Sequence, residues 1–175
     1  MVKWFVTMHR CIEDIFHDCF RLSHKTALVG GQDEPFYQAD SDGEGATIFY
    51  RSNYASSALH EVAHWCIAGA ERRRIDDYGY WYEPDGRSAD QQAQFEQVEV
   101  KPQALEWLFS KAVGVPFRLS VDNLSNEFVA SSTFGARVRQ QAIEYCQGAL
   151  PERASVFLKA LQCSGRIVSV SDLKL

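Results

Sequence analysis

His60 and His64 stand four residues apart in His60-Glu-Val-Ala-His64, and that spacing is where the chain's chemistry shows first. On an α-helix, positions four apart are offset by about 40° around the axis and by about 6 Å along it. Two imidazoles so placed can converge on one metal ion, and Glu61, one step round, can reach a water on that ion. The flanking residues Leu59, Val62, Ala63, Cys66, Ile67 and Ala70 are apolar, so the histidines emerge from a largely buried helix. Buried imidazoles need hydrogen-bond partners or a metal. The alternative is a chance HExxH whose rings are satisfied by polar neighbours.

An open catalytic site takes a third protein ligand. No histidine follows His64, which excludes an HExxHxxGxxH pattern, and His9, His17 and His24 all precede it. His17 and His24 read better as surface or capping residues. The third ligand is therefore expected to be a carboxylate on the next helix, within Phe95-Glu-Gln-Val-Glu-Val-Lys-Pro-Gln-Ala-Leu105. Glu99 is the choice, because it lies where small zinc peptidases of the HExxH…E type carry a ligand glutamate. Pro102 would also free the carbonyl of Val98 and turn that stretch toward the ion. Glu96 stays open, being three residues away on the same face, and either glutamate could be a solvated helix residue instead.

Two imidazoles and one carboxylate with open positions suit two reactions. With zinc the set hydrolyses peptide bonds, Glu61 acting as the base. With Fe(II) the same set binds and activates dioxygen. Ligand identity alone does not decide, and by itself it ranks a metallopeptidase first. A non-enzymatic protein with a structural metal is the third reading, which three ligands rather than four argue against.

These residues must be positioned by the rest of the chain. Ile12, Ile15, Phe16, Cys19 and Phe20 recur at helical spacing and predict a first amphipathic helix. Strand-like runs follow near Ala27–Gly30, Pro35–Ala39 and Ala46–Arg51, the last two separated by the turn-rich Asp40-Ser-Asp-Gly-Glu-Gly45 as in a hairpin. The motif helix is expected from about Ser56 to Arg74, capped by Asn53 or Ser56, with Arg72, Arg73 and Arg74 in its last turn. Ser88 followed by Gln91 forms a capping-box pattern for the next helix, which Pro102 should kink or divide and Gly114 and Pro116 should stop. Phe117–Val121 reads as one more strand, and helices follow around Thr133–Gln147 and Pro151–Cys163. The pattern is that of one α+β domain over residues 1–175, a small β-sheet packed against helices, zincin-like in placing a HExxH helix beside a second ligand-bearing helix.

Composition sets the remaining bounds. The chain has 175 residues, 46% of them hydrophobic and 23% charged, enough for a real core and wrong for a disordered segment. A net charge of −5 gives no reason to expect direct nucleic-acid binding or adhesion to an anionic membrane. No run of about 18 apolar residues could span a bilayer, and Met1–His9 offers no apolar core of signal-peptide length. Five cysteines with no CxxC pair read as reduced thiols, so a cytoplasmic location is expected.

Beyond the motif, three blocks carry a resemblance: His60-Glu-Val-Ala-His-Trp-Cys-Ile-Ala-Gly69, Tyr78-Gly-Tyr-Trp-Tyr-Glu-Pro-Asp-Gly-Arg87 and Gln94-Phe-Glu-Gln-Val-Glu-Val-Lys-Pro-Gln-Ala-Leu-Glu-Trp-Leu108. With Asp33-Glu-Pro35, Asp122-Asn-Leu124, Pro151-Glu-Arg153 and Phe157–Gln162, they are similar to the elongation factor P hydroxylase family over nearly the whole chain. The resemblance implies a metal-dependent monooxygenase acting on a lysine side chain of elongation factor P, normally one already carrying a β-lysyl group. It implies a metal site at His60, His64 and, less directly, Glu99, with dioxygen as co-reactant and Fe(II) as the ion. In that reading Glu61 becomes an acid or base beside the ligands. The HxD…H arrangement of 2-oxoglutarate oxygenases is missing, and no clamp for that cosubstrate is evident.

A modified lysine is long and cationic, so its pocket should offer aromatic faces and carboxylates. Tyr78, Tyr80, Trp81 and Tyr82, beside Asp76, Asp77, Glu83 and Asp85, have that character. Tyr78, Tyr80, Trp81 and Asp85 are the residues expected to bind substrate, though such a loop could equally be packed on the core by its aromatics. Arg72–Arg74 reads as a solvated turn, with docking of the partner protein as its alternative role.

Overall fold

Residues 12–79, 88–120, 133–164 and 166–174 are described by the computed structural model. A helix, α1, runs through residues 12–20 and buries Ile12, Phe16 and Phe20, one residue per turn. Three strands follow: β1 (Thr26–Gln32), β2 (Phe36–Gln38) and β3 (Ala46–Arg51). Alternation decides which face they bury: Ala46, Ile48 and Tyr50 of β3 point into the core.

The hairpin is present, with Tyr37 opposite Ile48 in an antiparallel pair. β1 joins the other side of β3 in parallel, Leu28 opposite Ile48, so the sheet order is β1-β3-β2. Gly30 is needed where β1 meets β3, since a Cβ there would lie 2.5 Å from the Tyr50 ring. Both sheet edges are closed by side chains. On β1 the Leu28 and Gly30 amides donate to His17 Nε2 and Glu13 Oε1, each at 3.0 Å. On β2 the Tyr37 and Ala39 amides donate to Asp77 and Asp76, each at 2.8 Å. His17 is thus a strand-edge cap, not a surface residue.

Helix α2 (Ala55–Ile67) packs on the sheet through Ala58, Leu59, Val62 and Ala63, all fully buried. It begins after Tyr54 with no side-chain cap, where Asn53 or Ser56 was expected. It also ends at Ile67, a full seven residues before Arg74. The reason is a cation from elsewhere: Arg153 Nη2 donates to the carbonyls of Trp65, Cys66 and Ala68 at 2.9, 3.2 and 2.5 Å. Arg72–Arg74 form a separate short 3-10 turn.

Helix α3 (Ala89–Val113) starts at the Ser88/Gln91 capping box. It continues through Pro102 undivided and ends on Gly114 in the left-handed conformation at φ 75°. No strand forms over residues 117–120, and 121 lies outside the described residues. A side chain replaces the missing strand partner: Gln103 donates to Ser120 O at 2.7 Å and accepts from Ser120 N at 3.1 Å. Helix α4 (Phe134–Glu144) unwinds through a wide turn, Tyr145–Ala149, with Gly148 at φ 111°, and α5 (Glu152–Ser164) starts just past Pro151.

The α+β architecture is thus a small mixed sheet on one side and α2 to α5 on the other. Phe16, Phe20, Trp65, Phe109 and Phe157 meet in edge-on and tilted pairs, ring centroids 4.8–5.9 Å apart, where α1, α2, α3 and α5 converge. Each fully buried ring of this size contributes roughly 1.5–3 kcal/mol by removal from water. Among the described residues, no helix is long and apolar enough to cross a membrane.

Candidate metal centre

Helix α3 carries an unusual stripe. Gln92, Glu96, Glu99, Gln103, Glu106 and Ser110 are all at most 6% exposed, and their spacing of four, three, four, three and four places them on one helix face. Carboxylates are almost never buried unless paired or ligating. The partners of the central members are the two histidines of α2.

His60 Nε2 and His64 Nε2 lie 3.1 Å apart. Glu99 closes the triangle, with Oε1 3.2 Å from His64 Nε2 and Oε2 3.6 Å from His60 Nε2. Gln103 steadies that carboxylate by donating to Oε2 at 3.2 Å. One ligand atom from each of His60, His64 and Glu99 lies within 4.8 Å of the others. Of the two glutamates left open by the sequence, Glu99 is the one that reaches both imidazoles.

The donor set fits a divalent ion. Ligand atoms about 2.1 Å from such an ion stand about 3.0–3.4 Å from one another, close to the separations here. Two neutral imidazoles facing each other and a carboxylate through Nε2 also lack enough protons to satisfy all three groups. A cation at their centre satisfies them together. The His60 and His64 side chains keep 24% and 14% of their surface exposed, so the centre has an open side. A groove of about 740 Å³ between α2, α3 and α4 reaches His64, lined among others by Ile67, Val100, Lys101, Arg137 and Glu144.

The electrostatics of the donor set point the same way. Burial pulls the His60 imidazole down, but the Glu106 hydrogen bond and the Glu99, Glu106 and Glu61 charges outweigh it and push it up to about 10. Burial pushes Glu99 up, and His64, His60 and Gln103 overcome that and hold it down at about 2. The pocket is therefore built for net positive charge between its donors, which a bound cation supplies in place of protons. Glu61 is half-buried beside them, its carboxyl pushed up mainly by burial.

Glu106 was not singled out in the sequence, although it lies seven residues beyond Glu99 on the same stripe. Its Oε2 accepts from His60 Nδ1 at 2.8 Å, leaving Nε2 of that ring free to ligate. Glu106→Leu is expected to weaken divalent-ion binding about a hundredfold, within the 10–100-fold range of such outer partners. Glu106→Gln, which can still accept the same hydrogen bond, should fall nearer tenfold. Competition against a chelating dye measures both, and affinities equal to wild type in both variants would remove Glu106 from the centre.

Of the residues expected to meet substrate, Tyr78 is buried, its ring stacked on Tyr37 at 4.3 Å and nearly parallel to His64 at 6.5 Å. Tyr80, Trp81 and Asp85 lie outside the described residues. Arg72 and Arg73 are not merely solvated. Arg72 Nη1 donates to Tyr78 O at 2.9 Å, and Arg73 lies over the Trp65 ring at 5.8 Å.

The sequence model of a family described as elongation factor P hydroxylase matches residues 15–168. An elongation factor P lysine hydroxylase of Haemophilus influenzae is 46% identical over 158 residues, covering 88% of this chain and 89% of that protein.

Proposed function

The chain belongs to the elongation factor P hydroxylase family, and from that premise we propose that it hydroxylates a lysine side chain of elongation factor P at a metal centre held by His60, His64 and Glu99. The observation that carries the reading is the convergence of these three donors on one point with an open side. The same donors would suit a zinc peptidase, and family membership decides between the two. The lysine is taken in its β-lysylated form, as the resemblance implies.

Fe(II) at the centre would bind and activate dioxygen, the oxidant that hydroxylation requires. The chain's own residues do the rest. Glu99 balances the ion's charge and is held ionised by both imidazoles and Gln103. Glu106 fixes the His60 ring so that Nε2 faces inward. Glu61, half-buried next to His60, would hold or pass a proton. Tyr78, Asp77 and Glu61 give the His64 side the aromatic and acidic character that a long cationic side chain needs. Tyr80, Trp81 and Asp85, with Tyr78, are proposed to wall that side.

The decisive experiment is mass spectrometry of elongation factor P from cells with and without the gene. A gain of one oxygen on the modified lysine is expected only when the gene is present, and equal masses would overturn the reading. In vitro, chelation should abolish the gain, Fe(II) should restore it and Zn(II) should not. A divalent ion at a hundred times its dissociation constant should add about 2.7 kcal/mol to stability and raise the unfolding midpoint by about 5–10 °C.

A further inference from the structure

The groove that reaches His64 has a sign of its own. The chain as a whole carries a net charge of −5. The charged side chains lining the groove are nevertheless Arg72, Lys101 and Arg137, against a single acid, Glu144. That acid is already engaged: Gln140 Nε2 donates to its Oε1 at 3.2 Å and Gln141 Nε2 to its Oε2 at 3.3 Å. Lys101 and Arg137 are exposed, and among the described residues neither side chain has a hydrogen bond or an ion pair. Arg72 is held at the same groove by its bond to Tyr78 O at 2.9 Å. Cations gathered on a concave surface focus their field and raise the local concentration of an anionic partner.

The walls suit a polypeptide better than a small anion. A volume of about 740 Å³ lies in the range that takes a ligand of many atoms, far more than a phosphate or a single carboxylate fills. Pro102 brings no N–H to the Val98 carbonyl one turn back, so α3 leaves that acceptor without its usual helix partner. Both residues line the groove. A carbonyl needs a donor, which a peptide N–H supplies and a simple anion does not. Ile67 and Val100 add apolar surface to the same lining.

We propose that this groove docks a segment of the protein substrate bearing acidic side chains, held by Lys101, Arg137 and Arg72 next to the lysine presented to the metal centre. The inference rests on the protein-lysine reading and adds which surface holds the chain around that lysine. His64 is common to both regions: the side with Tyr78, Glu61 and Asp77 receives the cationic side chain, and the groove receives the acidic stretch. Opposite signs meeting at His64 set which way round the substrate binds.

The test compares two double variants of the full chain, Lys101→Gln with Arg137→Gln and Lys101→Glu with Arg137→Glu. The control is Lys159→Glu with Lys174→Glu, exposed positions outside the groove at which the net charge changes as much as in the reversal. Binding of elongation factor P to the Zn(II)-loaded chain, which cannot turn over, should weaken about fivefold in the neutral pair and about thirtyfold in the reversed pair. The control should stay within about twofold of wild type. Added salt should weaken wild-type binding, and the neutral pair should lose most of that dependence. In hydroxylation KM should rise in step with binding, while kcat and the affinity for divalent ions stay at the wild-type level. Wild-type binding in the reversed pair overturns the docking groove. So does an equal loss in the control, which would leave only net charge, or a matching loss of metal affinity, which would route the effect through the centre. Saturation of the groove by inorganic phosphate with elongation factor P still bound would make it a small-anion pocket instead. Product mass is read separately from binding. Oxygen gained with unchanged binding in the variants sinks the groove and leaves the reaction standing; weakened binding with no oxygen gained by wild type does the reverse.

Discussion

Glu99→Gln is expected to empty the metal centre and abolish hydroxylation, while Glu96→Gln leaves both close to wild type. Glu99 is 3% exposed and reaches both imidazoles, at 3.2 and 3.6 Å, so its charge is what offsets a cation there. Removing one partner of a buried charge pair costs ~3–5 kcal/mol, which corresponds to a loss of about a hundredfold to a few thousandfold in affinity. Glutamine keeps the shape and one oxygen, so the fold should survive, and the metal-free unfolding midpoint checks that it does. Glu96 is also buried on the same stripe, yet it is not part of the converging group. Metal content by elemental analysis, read beside the product mass, separates the two glutamates. If Glu96→Gln empties the site and Glu99→Gln does not, the third ligand has been misassigned.

How much of this was readable from the sequence depends on how far each signal reaches along the chain. His60 and His64 are a one-turn relation, so helical periodicity alone placed their rings together. The hairpin of β2 and β3 was similarly local, fixed by alternation and the glycine-bearing turn at Asp40–Gly45. Glu99 was preferred to Glu96 on its position after the motif, but helical spacing could not separate them, because residues three apart share a helix face and only α2 shows which one is opposed. Glu106 had a legible signal that was not used: it is the lone charged residue within the apolar run Ala104-Leu-Glu-Trp-Leu-Phe109. The parallel pairing of β1 with β3 and the Gln103–Ser120 bonds depend on tertiary approach and leave no mark in periodicity. Tyr78 was visible as an aromatic in a suggestive loop, but its burial and its stacking on Tyr37 were not.

The largest error concerned where α2 ends, and the reason for it carries the second large prediction. Basic residues directly following a helix normally serve its negative end, and Arg72–Arg74 invited that reading. The cation in place is instead Arg153, 85 to 88 residues away, which donates to three C-terminal carbonyls and lies 4.8 Å over the Trp65 ring. Arg153→Met is expected to destabilise the metal-free chain by about 2–3 kcal/mol, since hydrogen bonds to a charged group are lost and α2's last carbonyls are left without it. In a chain of this size that lowers the unfolding midpoint by about 5–10 °C. Lysine at the same position should recover only part of the loss, because a single ammonium cannot reproduce the planar guanidinium's stacking on Trp65. The consequence reaches the metal centre, because Ala68 N closes the final turn of α2 on His64 O at 3.0 Å. Loosening that turn lets the His64 ring wander from Glu99, so metal affinity should fall in Arg153→Met although Arg153 is no ligand. A variant that melts early but binds metal like wild type would mean that packing against α3 alone holds His64, and the cap would then serve stability without serving the site.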